Sequence, residues 1–335
     1  MKNYDDLAVW RFGANFIPST AINQLEMWQR DTFDPVAIRR ELGFAAAIGM
    51  RVMRVYLHDL LYRKPDDLFR CLDEYLEIAD SFDIRTVFVF FDDCWNNEFA
   101  LGKQPEPVKC KHNSGWIKSP GRKATADFAE YPRLERYVKG VMNRYKNDPR
   151  VLAWDLFNEP GNGDAGDHET RGQYQGKRSL DLLKAVFDWA GSVSADQGIT
   201  VGVWSWDAVM DELNALAIER SEITSFHCYL SPEGHAERMS FMRYLANGRP
   251  LMCTEYMARR RQSTFEGCLP MMKNANCTAI NWGLVAGKTN TIYPWGWNEE
   301  MGEPDPYFHD IFHADGTPLY PEEVEFLINI NKQTK

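Results

Sequence analysis

The sequence predicts a single (β/α)8 TIM barrel with long loops after strands 3 and 8, and three observations predict it. Eight short apolar runs follow one another along the 335 residues, in alternation with stretches of helical periodicity. The alternations recur roughly every 30 to 45 residues, with no internal repeat or linker, which fits one barrel of about 250 residues enlarged by insertions. No Gly-x-Gly-x-x-Gly follows the first run, so the main support for two doubly wound halves is missing. The domain read this way spans residues 1–335.

Residues 12–17 form the first strand candidate. A helix then starts at Asp34-Pro35, with Asp34 as its cap and Pro35 in the first turn, where a missing N–H costs nothing. Residues 51–57 form the second strand. The helix over 66–82 carries Leu68, Leu72, Tyr75, Ala79 and Phe82 on one stripe. Residues 86–91 are the third strand, and Leu134, Val138, Val141 and Tyr145 mark the next helix. The fourth strand, 151–157, stops at Asn158-Glu159-Pro160-Gly161, because proline cannot continue a ladder and glycine permits a sharp turn. A helix follows through Leu182, Leu183, Val186, Phe187 and Ala190. Strands five to eight fall at 200–204, 223–229, 251–256 and 278–285, and a last helix runs from Pro321 to about Ile330.

Two insertions interrupt this rhythm, at 92–130 after the third strand and 287–321 after the eighth. Loops of this length are uncommon without a task, and loops that follow barrel strands lie on the face where sites are built. The first brings Trp95, Asn96, His112, Asn113 and Trp116; the second brings Tyr293, Trp295 and Trp297. The segment after the first strand adds Asn23, Gln24, Glu26 and Trp28. Eleven tryptophans gathered partly in such loops point to a cleft walled by indoles, the flat apolar surfaces on which sugar rings stack. Trp95, Asn96, Glu26, Trp116, Trp295 and Trp297 are the candidate walls.

A net charge of -10 argues against nucleic acid or an anionic membrane surface as partner. No run approaches the ~18 apolar residues of a membrane span. Seven cysteines without paired spacing read as reduced, mostly buried thiols. Cys110 and His112 stand two apart with no second ligand pair, so no metal is expected. The stretch Met1-Lys2-Asn3-Tyr4-Asp5-Asp6 lacks an apolar signal region. As written, the chain reads as a soluble cytoplasmic protein; a trimmed periplasmic or secreted one would look the same.

Candidate chemistry lies at the strand ends. Glu159 follows the fourth strand and Glu255 ends the seventh, which stand across the mouth of a closed barrel. Two carboxyl groups about 5 to 5.5 Å apart suit retaining glycoside hydrolysis, in which one acid protonates the leaving oxygen and the other attacks the anomeric carbon. Arg54 interrupts an apolar strand and needs a carboxylate near the barrel axis; beside Glu255 it favours the ionised form. His227 and Tyr229 share one strand face, and Tyr229 is placed to orient Glu255. Asn158 is a donor for a sugar 2-hydroxyl, Trp282 a platform for a ring, and Asp155 a structural partner inside the strand.

In this order, Arg54, Asn158-Glu159-Pro160, His227-x-Tyr229, Glu255 and Trp282 resemble the strand-end residues of clan A glycoside hydrolases. Within that clan they are most similar to the family 5 cellulase-like group, over essentially the whole chain. The resemblance implies Glu159 as acid/base, Glu255 as nucleophile, a covalent glycosyl-enzyme intermediate and no cofactor. It also implies an oligo- or polysaccharide substrate of the cellulase, mannanase or xylanase kind. Glu159 must then arrive protonated and Glu255 charged. The chain departs from the group where a histidine is expected after the third strand; it reads Phe90-Phe91-Asp92-Asp93-Cys94-Trp95-Asn96. Two other readings use the same barrel. One is a catalytically inactive barrel that binds carbohydrate. The other acts on a phosphorylated metabolite at Gly287-Lys288, although Arg259-Arg260-Arg261 after strand seven is not the Gly-rich turn such a site uses.

Overall fold

The computed structural model describes residues 5–162 and 175–332. Its strands are β1 (Phe12–Asn15), β2 (Val52–Tyr56), β3 (Arg85–Asp92), β4 (Val151–Asn158), β5 (Gly198–Thr200), β6 (Gly202–Val203), β7 (Thr224–His227), β8 (Leu251–Glu255) and β9 (Cys277–Trp282). All pairings are parallel, in the order β5-β4-β3-β2-β1-β9-β8-β7-β6. β5 and β6 are two pieces of one strand parted at Val201. The first piece bonds to β4 and the second to β7, so chain continuity closes the ring and the expected (β/α)8 barrel is observed. The fifth strand therefore starts earlier than the expected 200–204, and its ladder breaks where the ring must turn.

Several other strands are shorter than the apolar runs that announced them. β2 ends at Tyr56 and β9 at Trp282, while Leu57 and Leu284 beyond them are buried in the loops above the barrel. An apolar run records burial, whether or not the backbone stays in the ladder. Helix Pro35–Ala47 begins as expected, with the Asp34 carboxylate accepting from Ala37 N at 2.9 Å. Helix Pro65–Asp80 buries Leu68, Leu72, Tyr75 and Ala79. Among the described residues no helix is long and apolar enough to cross a membrane.

The two-residue period of each strand divides the core in two. Outward residues meet the helices: Phe88 and Phe90 of β3 stack on Trp154 of β4 and meet Tyr145 and Tyr137 of helix Tyr131–Tyr145. Inward residues fill the barrel. Its base is an apolar plug of Val52, Val87, Leu152, Ala153, Ile223, Met252 and Ile280, with Leu7 packed against it. Two residues further up the strands the interior turns polar, with buried Asn15, Arg54, Asp155 and Thr254. The two long insertions lie above and are bonded to each other through Asn113 N to Thr289 O (2.8 Å) and His112 Nδ1 to Tyr293 O (2.7 Å).

β1 is admitted to this ring by a glycine. A Cβ on Gly13 would lie 1.6 Å from the Val52 carbonyl oxygen of β2. Gly13→Ala is therefore expected to cost about 3 kcal/mol or more, read as a lowered denaturant midpoint. A variant within about 0.5 kcal/mol of the parent would contradict so close a contact.

Candidate active site

Glu159 is the residue after β4, and its φ of +45° is a left-handed conformation rarely taken by a non-glycine residue. Such a backbone costs roughly 1 kcal/mol or more and takes the chain out of the ladder directly after Asn158. The turn is held by Asp93, whose Oδ2 accepts from Gly161 N at 2.8 Å and from Ser179 Oγ. Across the ring, Glu255 ends β8, where a register shift sets His227 opposite it. An oxygen of Glu159 and an oxygen of Glu255 lie within 4.8 Å of each other.

His227 lies between them. Its Nδ1 is 2.7 Å from Glu159 Oε1 and 3.4 Å from Glu255 Oε2. Burial lowers the pKa of the imidazole to about 4, so the ring is neutral near neutral pH. Its Nε2 is buried with no partner among the described residues, which puts the ring hydrogen on Nδ1, facing the carboxylates. Glu159 Oε2 accepts from Cys94 Sγ at 3.2 Å and from Asn162 Nδ2.

Glu255 is held more tightly. Its Oε2 accepts from Tyr229 OH at 2.8 Å, and its Oε1 from Tyr56 OH at 3.0 Å and Arg54 Nη1 at 3.3 Å. Burial raises its pKa, and nearby Glu159 adds to the rise; His227, Arg54 and the Tyr229 hydroxyl pull the other way. Arg54 thus acts in the expected direction, but desolvation outweighs it. The guanidinium is fully buried and makes a second ion pair with Asp155 at 2.8 Å. It also donates to Asn158 Oδ1 and Asn15 Oδ1, each at 2.8 Å.

The departure after β3 has a structural account. Asp92 Oδ1 accepts from Asn158 Nδ2 at 3.0 Å and Oδ2 from Trp116 Nε1 at 2.7 Å, so this carboxylate orients two cleft residues. Burial raises its pKa to about 6. An imidazole does reach the cavity, from the loop: His112 lines it, stacked on Trp95 with ring centroids 5.4 Å apart.

The cavity holds about 500 Å³, within the usual 300–1,000 Å³ of small-ligand sites. Glu159, Glu255, Asn158, His227, Tyr229, Trp282, Trp95, Trp116 and Trp295 all line it, with Arg54 beneath. Trp282, Trp116 and Tyr56 meet edge to face, with centroids 5.0 to 5.8 Å apart. Asn96, Glu26 and Trp297 stand outside it. Asn96 ties its own loop by donating to Ser114 O and Trp116 O. Glu26 accepts from Ile22 N and pairs with Lys288 at 2.7 Å, which also occupies the lysine of the phosphate-site reading. Trp297 donates to Gly302 O and lies under Arg260.

Tyr56, Cys94, Asn162, Trp204, Arg238 and Arg261 belong to this region and were not foreseen. Tyr56 had a signal, since Arg54-x-Tyr56 puts both side chains on one strand face. Arg238 lies on helix Pro232–Ala246, and the others come from loops and turns, where no period applies.

Glu159, His227 and Glu255 are also the one group of three metal-type ligands gathered among the described residues. Ligand atoms on a tetrahedral ion with bonds of about 2.0–2.1 Å stand about 3.3 Å apart. The 2.7 Å contact between His227 and Glu159 is instead a hydrogen bond.

No protein-family model matches the chain, and no curated protein matches it. Solved structures do. A GH5_18 protein from Streptomyces cattleya in complex with GlcNAc matches at a TM-score of 0.68 and 13% identity, over 97% of this chain and 81% of that one. An endo-1,4-β-D-mannanase from Thermotoga petrophila RKU-1 matches at 0.60 and 15%, over 97% and 99%. An endo-1,4-β-mannanase from Rhizomucor miehei matches at 0.59 and 14%, over 96% and 95%. At these identities the likeness is one of architecture: the chain has the barrel fold of the family 5 glycoside hydrolases that its strand-end residues resemble.

Proposed function

We propose that the protein is a retaining glycoside hydrolase that cleaves a β-linked glycan, with residues 1–335 as one catalytic domain. The observation that carries this reading is the facing pair, Glu159 and Glu255, with oxygens within 4.8 Å at the bottom of an aromatic cleft. Glu159 is the acid/base: it gives its proton to the glycosidic oxygen as that bond breaks. Glu255 is the nucleophile: a carboxylate oxygen bonds to the anomeric carbon from the opposite face and forms a glycosyl ester. Glu159, now ionised, takes a proton from water, which attacks the same carbon and releases Glu255. The sugar retains its configuration.

The surrounding residues divide the remaining work. Tyr229, Tyr56 and Arg54 hold Glu255 and spread the charge that returns to it on deglycosylation. Asn158, fixed between Arg54 and Asp92, presents its amide to the sugar 2-hydroxyl. Trp282 carries the ring, and Trp95, Trp116 and Trp295 form walls. Several similar structures are of mannan-active enzymes by name, so β-1,4-mannosides head the substrate panel, before β-glucans, xylans and galactans.

Two experiments test this. Glu159→Ala and Glu255→Ala are each expected to lose about 10³-fold or more in kcat on an aryl glycoside, with unchanged thermal unfolding. Azide should restore turnover in both, giving a product of retained configuration with the first variant and of inverted configuration with the second. Near-parental turnover in either variant, or the opposite stereochemistry, sinks the assignment. The second concerns pH. The Tyr229 hydroxyl stabilises the ionised form of Glu255, so its removal raises the Glu255 pKa. Ionised Glu255 is needed for attack, and its loss shapes the acid side of the profile. Tyr229→Phe should therefore move the acid limb of kcat/KM to higher pH, by roughly one unit. An unmoved acid limb would show that Tyr229 does not govern the nucleophile.

A further inference from the structure

Three tryptophans each lie close to a guanidinium. Arg238 lies 4.6 Å from the Trp206 ring centroid, Arg261 lies 5.6 Å from Trp295, and Arg260 lies 5.1 Å from Trp297. Two of the three, Arg238 and Arg261, line the cavity itself. Arg238 comes from helix Pro232–Ala246 after β7, and Arg261 from the turn Arg259–Arg261 after β8. They thus follow adjacent strands, on the same side of the mouth.

Neither has a carboxylate partner among the described residues. The contrast with their neighbours is sharp: Arg54 is paired with Asp155 and Glu255, and Arg259, two residues before Arg261, with Glu323 at 2.6 Å. This chain has ten more acids than bases. The cavity's own acids do not answer the two cations. Glu159 and Glu255 are committed to His227, Tyr229 and the groups beneath them. A guanidinium over an indole face keeps its N–H edge available to an oxyanion. Among the described residues the one hydrogen bond of the Arg261 side chain is long, Nε to Tyr229 O at 3.4 Å.

We infer that Arg238 and Arg261 select a glycan bearing an anionic substituent on the sugar unit that lies toward the loops after β7 and β8. A uronic-acid carboxylate and a sulfate or phosphate ester share the required chemistry, that of an oxyanion offering two acceptors to a guanidinium edge. This rests on the hydrolase reading above and deepens it. It also accounts for the indoles: Trp295 and Trp206 orient cations here, while sugar stacking falls to Trp282, Trp116 and Trp95. Two cations in the cleft offset the repulsion that a second anion would meet from Glu159 and Glu255.

The test separates binding from turnover. In a Glu255→Gln background, tryptophan fluorescence is titrated with three probes: a β-1,4-linked oligosaccharide bearing a glucuronic acid residue, its carboxyl-reduced counterpart, and a 6-O-sulfated oligosaccharide. At least one acidic probe should bind ten-fold or more tighter than the reduced one. The preference should shrink with added salt and vanish in Arg238→Gln/Arg261→Gln. Which acidic probe wins identifies the oxyanion. Equal affinity for acidic and neutral probes, no binding of any acidic probe, or a preference that survives the double substitution overturns the inference. With the parent enzyme, turnover is then measured on the same probes. Acid-selective binding without cleavage of any glycan would refute the hydrolase reading and leave this selectivity standing.

Discussion

The site depends on one buried cation. Arg54 sits inside the closed ring of strands, where an isolated charge is prohibitively costly, and it is stable there only because Asp155 and Glu255 share it. Its donors point to four strands: Asp155 and Asn158 on β4, Asn15 on β1, Glu255 on β8 and Tyr56 on its own β2. The contacts that offset the burial of Arg54 therefore also tie the ends of these strands together. The separation of Glu159 and Glu255 follows from this shared anchor and from the ring that carries it.

Above the anchor, the two carboxylates occupy unlike surroundings. Glu255 meets two phenols and a guanidinium, all donors, which favour charge against the strong penalty of burial. Glu159 sits on a strained turn, held by His227, Cys94 and Asn162. Environments that differ in this way are how a fold gives two chemically identical acids different tasks. The long insertions complete the site from above. They bond to one another at Asn113 and His112, so the aromatic walls they carry form one unit.

Much of this was legible in the chain. Arg54 stood out because a charge inside an apolar strand has few permissible explanations, and the structure supplies two carboxylates. Asn158-Glu159-Pro160 marked a strand stop, and the ladder ends at Asn158. Asp34-Pro35 marked a helix start, and the cap is formed. Other features were not legible. Glu26 and Asn96 are polar residues on the correct face, yet their side chains are consumed by Lys288 and by the Ser114 and Trp116 carbonyls. Composition cannot separate a polar residue that faces a ligand from one that ties a loop. Arg238 and Arg261 were missed for the converse reason: a surface arginine has no periodicity, and whether it meets an acidic partner among the described residues is visible only in three dimensions.

By itself the sequence determined the barrel, because alternating apolar runs have one economical way to bury both strand faces, and it determined which strand ends carry acids. Local pattern and polarity suffice for that. The tertiary structure decided how far apart those acids stand, which loop residues enter the cleft and which cations line it. Those quantities depend on groups hundreds of residues apart, such as Arg54 and Glu255 or Asn15 and Thr254, which meet only when the ring closes.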